Sequence, residues 1–130
     1  MSKGMNKKTS VGTIKLIRGI GQKIDWNTKI NKQFIKAVLS LKNADEARRF
    51  LRDLMTEKDI KEFANRLEAA RLLSDDTQYA AIIERTGLSS TTIARISKWL
   101  NGSLGGYRLI ISRMNHTNPS KLWKGLSLNS

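Results

Sequence analysis

The chain has no cysteine, which excludes disulfides and thiolate metal sites. Its one histidine, His116, falls in a stretch expected to be a polar tail. Without a thiol, and without a hydroxyl–histidine–acid grouping on a predicted element, nucleophilic catalysis lacks its parts. The chain is therefore expected not to be an enzyme and to need no cofactor. No apolar run approaches the ~18 residues of a membrane span. The basic N-terminus lacks the continuous apolar stretch of a secretory signal. A cytoplasmic, nucleoid-associated protein with no membrane partner is expected. Aromatic residues make up only 6% of the chain, too few to offer a row of stacking platforms for single-stranded bases. A further absence concerns acid: no Asp or Glu follows Glu84.

What is present is positive charge, +13 over 130 residues, and it is unevenly placed. Residues 1–32 hold eight Lys or Arg against one acid, Asp25. Residues 33–84 hold nine bases against ten acids, and residues 85–130 hold seven bases against none. A near-neutral middle between two basic segments has the charge pattern of a core with two polyanion-facing parts. The apolar content of 39% permits a modest core. A helical chain of this size often completes such a core by dimerising.

The first 30 residues mix Lys, Gly, Ser and Asn, with a possible short strand at Thr13–Ile17, and read as a flexible basic arm. From Asn31 a helical period takes over, with Asn31 as the expected N-cap. Phe34, Ala37, Val38 and Leu41 share one face of that helix. A second helix opens on Asp45 and Glu46, where negative charge suits the helix dipole, and turns Ala47, Phe50, Leu51 and Leu54 inward. Thr56, with Glu57 and Asp59, has the spacing of a capped start for a third helix reaching Leu73. Its expected inward residues are Ile60, Phe63, Ala64, Leu67 and Ala70. Ser74–Asp76 breaks it, and the adjacent Asp75 and Asp76 read as capping residues rather than metal ligands. A short helix over 77–85 buries Ala81 and Ile82, another spans 90–100, and a last one covers 104–114. The expectation is an all-α, six-helix domain over 31–114, with residues 115–130 as a disordered tail.

Two of these helices carry the function. The 77–85 helix, Gly87 and the 90–100 helix form a helix-turn-helix arrangement. Gly87 permits the left-handed reversal. Leu88 plugs the turn, and Ser89 caps the second helix. Ile82, Ile93 and Ile96 meet in a small core. The opposite face of the second helix is then Ser90, Thr91, Ala94, Arg95 and Lys98. Short side chains let a helix sit deep in the major groove beside thymine methyls or bridging waters, and Arg95 and Lys98 reach phosphate, or Arg95 guanine. Position 83 holds Ile, where many such motifs have a small residue.

The stretches "FIKAVLSLKNADEARRFLRDLMTEKDIKEFANRLEAARLL" and "YAAIIERTGLSSTTIARISKWLNG" resemble the Trp repressor-like family, most closely its YerC/YecD branch. The strongest marks are "LSLK", "RLEAARLL" and the "TG-S-TTI-R" turn. The resemblance implies an intertwined helical homodimer bound to double-stranded DNA. It also places Gln78 beside a phosphate, and Ser90, Thr91 and Ala94 nearest the base edges. In the tryptophan-responsive member two arginines sandwich the indole. The matching positions here are Arg66 and Arg95, and Thr56 also matches. Departures stand beside them: Ile96 replaces a glycine and Trp99 a small serine. Forcing added bulk into a packed site costs about 1–3 kcal/mol. Ile96 and Trp99 are therefore expected to fill the place of a co-repressor, and tryptophan is not expected to bind. The alternative for Arg66 and Arg95 is pairing with acids or phosphate. Competing functions are a non-specific architectural protein, a replication-initiation-type DNA-binding protein, and a membrane-surface role for the arm.

Overall fold

The computed structural model describes residues 23–116. The expected strand and most of the basic arm lie outside this range, as does the tail beyond His116. Among the described residues there are six helices and no strand: α1 (Lys29–Leu39), α2 (Ala44–Leu54), α3 (Glu57–Ser74), α4 (Tyr79–Thr86), α5 (Ser90–Leu100) and α6 (Gly106–His116). The chain divides into one unit ending at Leu41, which holds α1, and one beginning at Lys42, which holds the other five.

Local chemistry sets the helix boundaries. Thr28, not Asn31, caps α1: its hydroxyl accepts from the Asn31 N–H at 3.1 Å. Asn31 is already helical, and its side-chain amide donates back to the Asp25 carbonyl at 2.9 Å. Asn43 caps α2 by accepting from the Glu46 N–H. Thr56 and Asp59 form a reciprocal capping box at the start of α3, each side chain accepting the other's backbone N–H at 3.0 Å. At the other end of α3, the N–H of Asp76 bonds the Leu73 carbonyl and that of Thr77 the Leu72 carbonyl. This is the Schellman pattern, with Asp76 at φ 60° in the left-handed position usually given to glycine. The last helix starts and ends two residues later than expected, so His116 closes α6 rather than lying in a tail.

The core of the larger unit is built from the C-terminal half of α3 with α4, α5 and α6. Ala69, Ala70, Leu72, Ile82, Leu88, Ile93, Ile96, Leu100 and Ile111 are buried, with Leu67, Leu73 and Tyr107 packed against them. The two alanines of α3 leave room for larger chains to approach, and Ile82 and Ile93 are the largest side chains fully removed from solvent.

Other stripes expected to face inward do not. On α2, Leu54 is 49% exposed, on α3 Phe63 is 47% exposed, and Leu51 and Ala64 are also exposed. On α1, Phe34 and Val38 are exposed as well. The helical spacing is as expected, but nothing among the described residues buries those stripes.

Candidate nucleic-acid interface

The turn between α4 and α5 is fixed by four consecutive residues, Thr86 to Ser89. Gly87 adopts φ 73° and ψ 5°, and a Cβ there would meet no atom within 4 Å. The glycine is thus required by its backbone angle and not by crowding. Thr86, only 7% exposed, donates from its hydroxyl to the Ile82 carbonyl at 2.7 Å and accepts from the Leu88 N–H at 3.2 Å. Leu88 is buried in the core. Ser89 caps α5 by accepting from the Thr92 N–H at 3.1 Å, while its own hydroxyl donates to Thr92 Oγ1 at 3.0 Å. Thr86 was missed by reading apolar periodicity. Its signal is a threonine ending a helix directly before the reversing glycine, where a hydroxyl can satisfy a turn N–H.

With the turn fixed, the phase of α5 follows. Ile93, Ile96 and Leu100 point into the core. Ser89, Ser90, Thr91, Ala94, Arg95 and Lys98 are all exposed. No acid occurs in α5 or α6, since all eleven Asp and Glu of the chain lie at or before Glu84. Among the described residues Arg95 and Lys98 form no salt bridge. The exposed side of α5 therefore offers hydroxyls and one methyl at its N-terminal end and two cations further along, with no internal anion competing for them. Gln78 is exposed at the N-cap position of α4 and makes no side-chain capping bond there. The atypical Ile83 is accommodated by remaining partly exposed.

Of the second residue set, Thr56 caps α3, Arg66 lies within α3 and Arg95 lies on α5. Thr56 and Arg66 are ten residues apart on α3, about 15 Å of helical rise, and the Thr56 hydroxyl is occupied by its cap. Arg66 donates through Nε to Glu62 at 2.9 Å and lies 5.5 Å from the centre of the Phe63 ring. It also faces Tyr107, whose phenol is pushed above its ordinary range by burial and drawn back by the Arg66 charge. Arg66 is thus partnered within its own helix, whereas Arg95 is exposed on α5. Ile96 is 3% exposed and belongs to the core, but Trp99 is 43% exposed.

Asp75 and Asp76 act at the C-terminal end of α3, Asp75 as its cap, and Asp75 also meets Arg71 at 3.5 Å. Among the described residues no group of three or more His, Asp or Glu is placed to hold a metal ion. No helix among them is long and apolar enough to cross a membrane.

Comparison with known proteins agrees with this geometry. The family model described as "Trp repressor protein" matches residues 29–115. The Bacillus subtilis protein YerC, itself uncharacterised, is 38% identical over 85 residues, covering 65% of this chain and 82% of YerC. The crystal structure of a TrpR-like protein from Eubacterium eligens superposes with a TM-score of 0.67 at 34% identity, covering 72% of this chain and 96% of that one. A Trp repressor candidate from Staphylococcus aureus gives a TM-score of 0.66 at 28% identity, with the same coverage. A matching family model, a matching fold and a turn built from Thr86, Gly87 and Ser89 converge: the chain belongs to the Trp repressor-like family, on its YerC branch.

Proposed function

We propose that this protein is a transcriptional repressor that binds double-stranded DNA sequence-specifically, as a homodimer, through the α4–turn–α5 helix-turn-helix. The observation that carries the reading is the two-sidedness of α5. One side is locked by Ile93, Ile96 and Leu100. The other presents Ser90, Thr91, Ala94, Arg95 and Lys98 to solvent without an acid among them. In this reading Ser90, Thr91 and Ala94 lie against base edges in the major groove, and Arg95 and Lys98 meet phosphate or guanine. Gln78, at the start of α4, meets the backbone. Ser89 acts by capping α5 and presenting its N-terminal N–H groups.

The homodimer is supported by the uncovered apolar stripes on α1, α2 and α3, including Phe34, Leu54 and Phe63. Apolar stripes of this extent mark interfaces more often than free surface. A twofold dimer places two α5 helices on half-sites one DNA turn apart, roughly 34 Å. The DNA binding is independent of tryptophan, because Ile96 occupies core volume where a ring would have to enter. Thr56 and Arg66 then serve as a helix cap and an ion-pair partner, and the protein acts in the cytoplasm on the nucleoid.

The test is selection of bound sites from a random duplex pool. The reading expects a palindrome with half-sites about one turn apart, bound ~10³-fold or more above random duplex. Equal affinity for all duplexes, lost steeply with salt, would identify a non-specific architectural protein instead. Calorimetry with millimolar L-tryptophan tests the co-repressor claim, which saturable heat would contradict.

A further inference from the structure

Helix α5, like any helix, leaves its last carbonyls without partners of its own. Two of them are met locally. The Asn101 N–H and side-chain amide donate to the Ser97 carbonyl at 3.1 and 2.9 Å, and the Gly102 N–H donates to the Trp99 carbonyl at 3.1 Å. The Leu100 carbonyl is met from another element. Arg108, on α6, donates through one nitrogen, Nη1, to the Leu100 carbonyl at 2.6 Å and to the Gly102 carbonyl at 2.8 Å. The guanidinium also lies against the connection between the helices: a Cβ on Gly105 would stand 3.0 Å from Arg108 Nη2 and 3.6 Å from its Cζ. One side chain therefore ties together the end of α5, the 101–105 connection and the start of α6.

The needs of α6 do not explain this placement. Arg108 is the third residue of that helix, where the positive end of the dipole disfavours a cation, and no acid stands in the first turn to offset it. For α5 the same charge sits at the negative end of the dipole, where a cation is favoured. Packing does not explain it either, since Arg108 is exposed, as are Asn101, Ser103 and Leu104 in the connection. The core anchors of α5, Ile93, Ile96 and Leu100, are apolar, and apolar contact is non-directional. Directional bonds hold α5 at both ends, through Thr86 and Ser89 at its start and Arg108 at its finish.

The lever is long enough to matter. Arg95 and Lys98 lie ~8 Å and ~12 Å along the axis from Ser90. A tilt of about 10° about that end, near the tolerance of a preorganised site, moves Lys98 by about 2 Å and Arg95 by about 1 Å. Hydrogen bonds to a base edge or a phosphate do not survive displacements of that size. We infer that Arg108 is the positioning residue of α5. It sets the tilt at which Arg95 and Lys98 reach the duplex, and so the preference for one site over others, without touching DNA itself. The consequence for DNA rests on the proposed DNA-binding function; the clamp does not, and it is measured without DNA.

The experiment compares the full chain with Arg108→Gln, which is neutral and two bonds too short to reach the carbonyls, and with Arg108→Lys, which keeps several N–H groups on one nitrogen. Amide exchange without DNA should quicken about tenfold or more at Asn101 and Gly102 in Arg108→Gln, and by less at Ile93 in the core. Binding is then measured by fluorescence anisotropy over a range of salt, on the selected duplex and on random duplex. Arg108→Gln should weaken the selected duplex about tenfold or more and random duplex less than about twofold, with the salt slope unchanged. Arg108→Lys should fall between the native chain and Arg108→Gln in both measurements, and it carries the test if Arg108→Gln does not fold. A salt slope lowered by about one, with both duplexes weakened alike, would make Arg108 a phosphate contact and overturn the inference. Native affinity for the selected duplex in Arg108→Gln would overturn it as well. A native chain with no preference for any duplex removes the DNA consequence along with the proposed function. The clamp then stands or falls on exchange alone, and unchanged rates at Asn101 and Gly102 refute it.

Discussion

Replacing Thr86 by valine keeps the shape of the side chain and deletes one hydroxyl. That hydroxyl donates to the Ile82 carbonyl at 2.7 Å and accepts from the Leu88 N–H at 3.2 Å, in a site 7% exposed. The Ile82 carbonyl remains inside its helix, so its loss is small. The Leu88 N–H is left in a buried turn with no acceptor, which costs about 1–3 kcal/mol. The added methyl recovers up to about 0.8 kcal/mol. The net expectation is a destabilisation of about 0.2–2.2 kcal/mol, the difference between these two contributions. Urea unfolding at one fixed protein concentration, as stability of an oligomer depends on it, should show a lower midpoint with an unchanged slope. Thr86→Ser keeps the hydroxyl and should retain most of the stability. The reasoning fails if valine leaves the midpoint where it was, or if serine destabilises as much as valine.

Three further outcomes follow from the same geometry. Thr91→Glu places an anion on the exposed, acid-free side of α5; gel-shift binding to the selected duplex should be lost while the thermal midpoint stays nearly constant. Asp76→Gly relieves the left-handed backbone and should raise stability by about 1 kcal/mol in urea unfolding. Acid should weaken the fold: hydrogen bonds from the Thr56 N–H and hydroxyl hold the Asp59 carboxyl below its ordinary range, and the Arg71 hydrogen bond does the same for Glu68. Because these folded-state values are depressed, the stabilisation is complete above the ordinary carboxylate range and disappears as pH falls through the lowered values. Glu68→Gln should make the acid side of a stability-versus-pH curve shallower.

Much of the fold was legible because its signals are local. Thr56 with Asp59, Gly87 and Ser89 each act within three or four residues, so spacing alone identified them. Thr28 was harder, because Asn31 is an equally good cap type three residues on; the choice turned on Thr28 reaching the Asn31 N–H while Asn31 bonds back to Asp25. Thr86 gave no periodic signal, since a hydroxyl bonded to backbone leaves no mark on the apolar pattern. The stripes containing Leu54 and Phe63 show the opposite case: periodicity says which residues share a face but not what covers it. Arg66 is similar. Glu62 four residues before it is a partner on its own helix, which spacing offers as readily as a ligand role.

The absence of cysteine gives direct access to the central claim that the Thr91 side of α5 enters a DNA groove. A Thr91→Cys variant carries one thiol, whose maleimide-labelling rate can be followed with and without the selected duplex, beside an Arg49→Cys control on α2. With duplex at about 100 times its dissociation constant, only about one protein molecule in a hundred is unbound. Labelling at position 91 should slow by about that factor while position 49 is unaffected. Equal labelling of Thr91→Cys with and without saturating duplex would contradict the account.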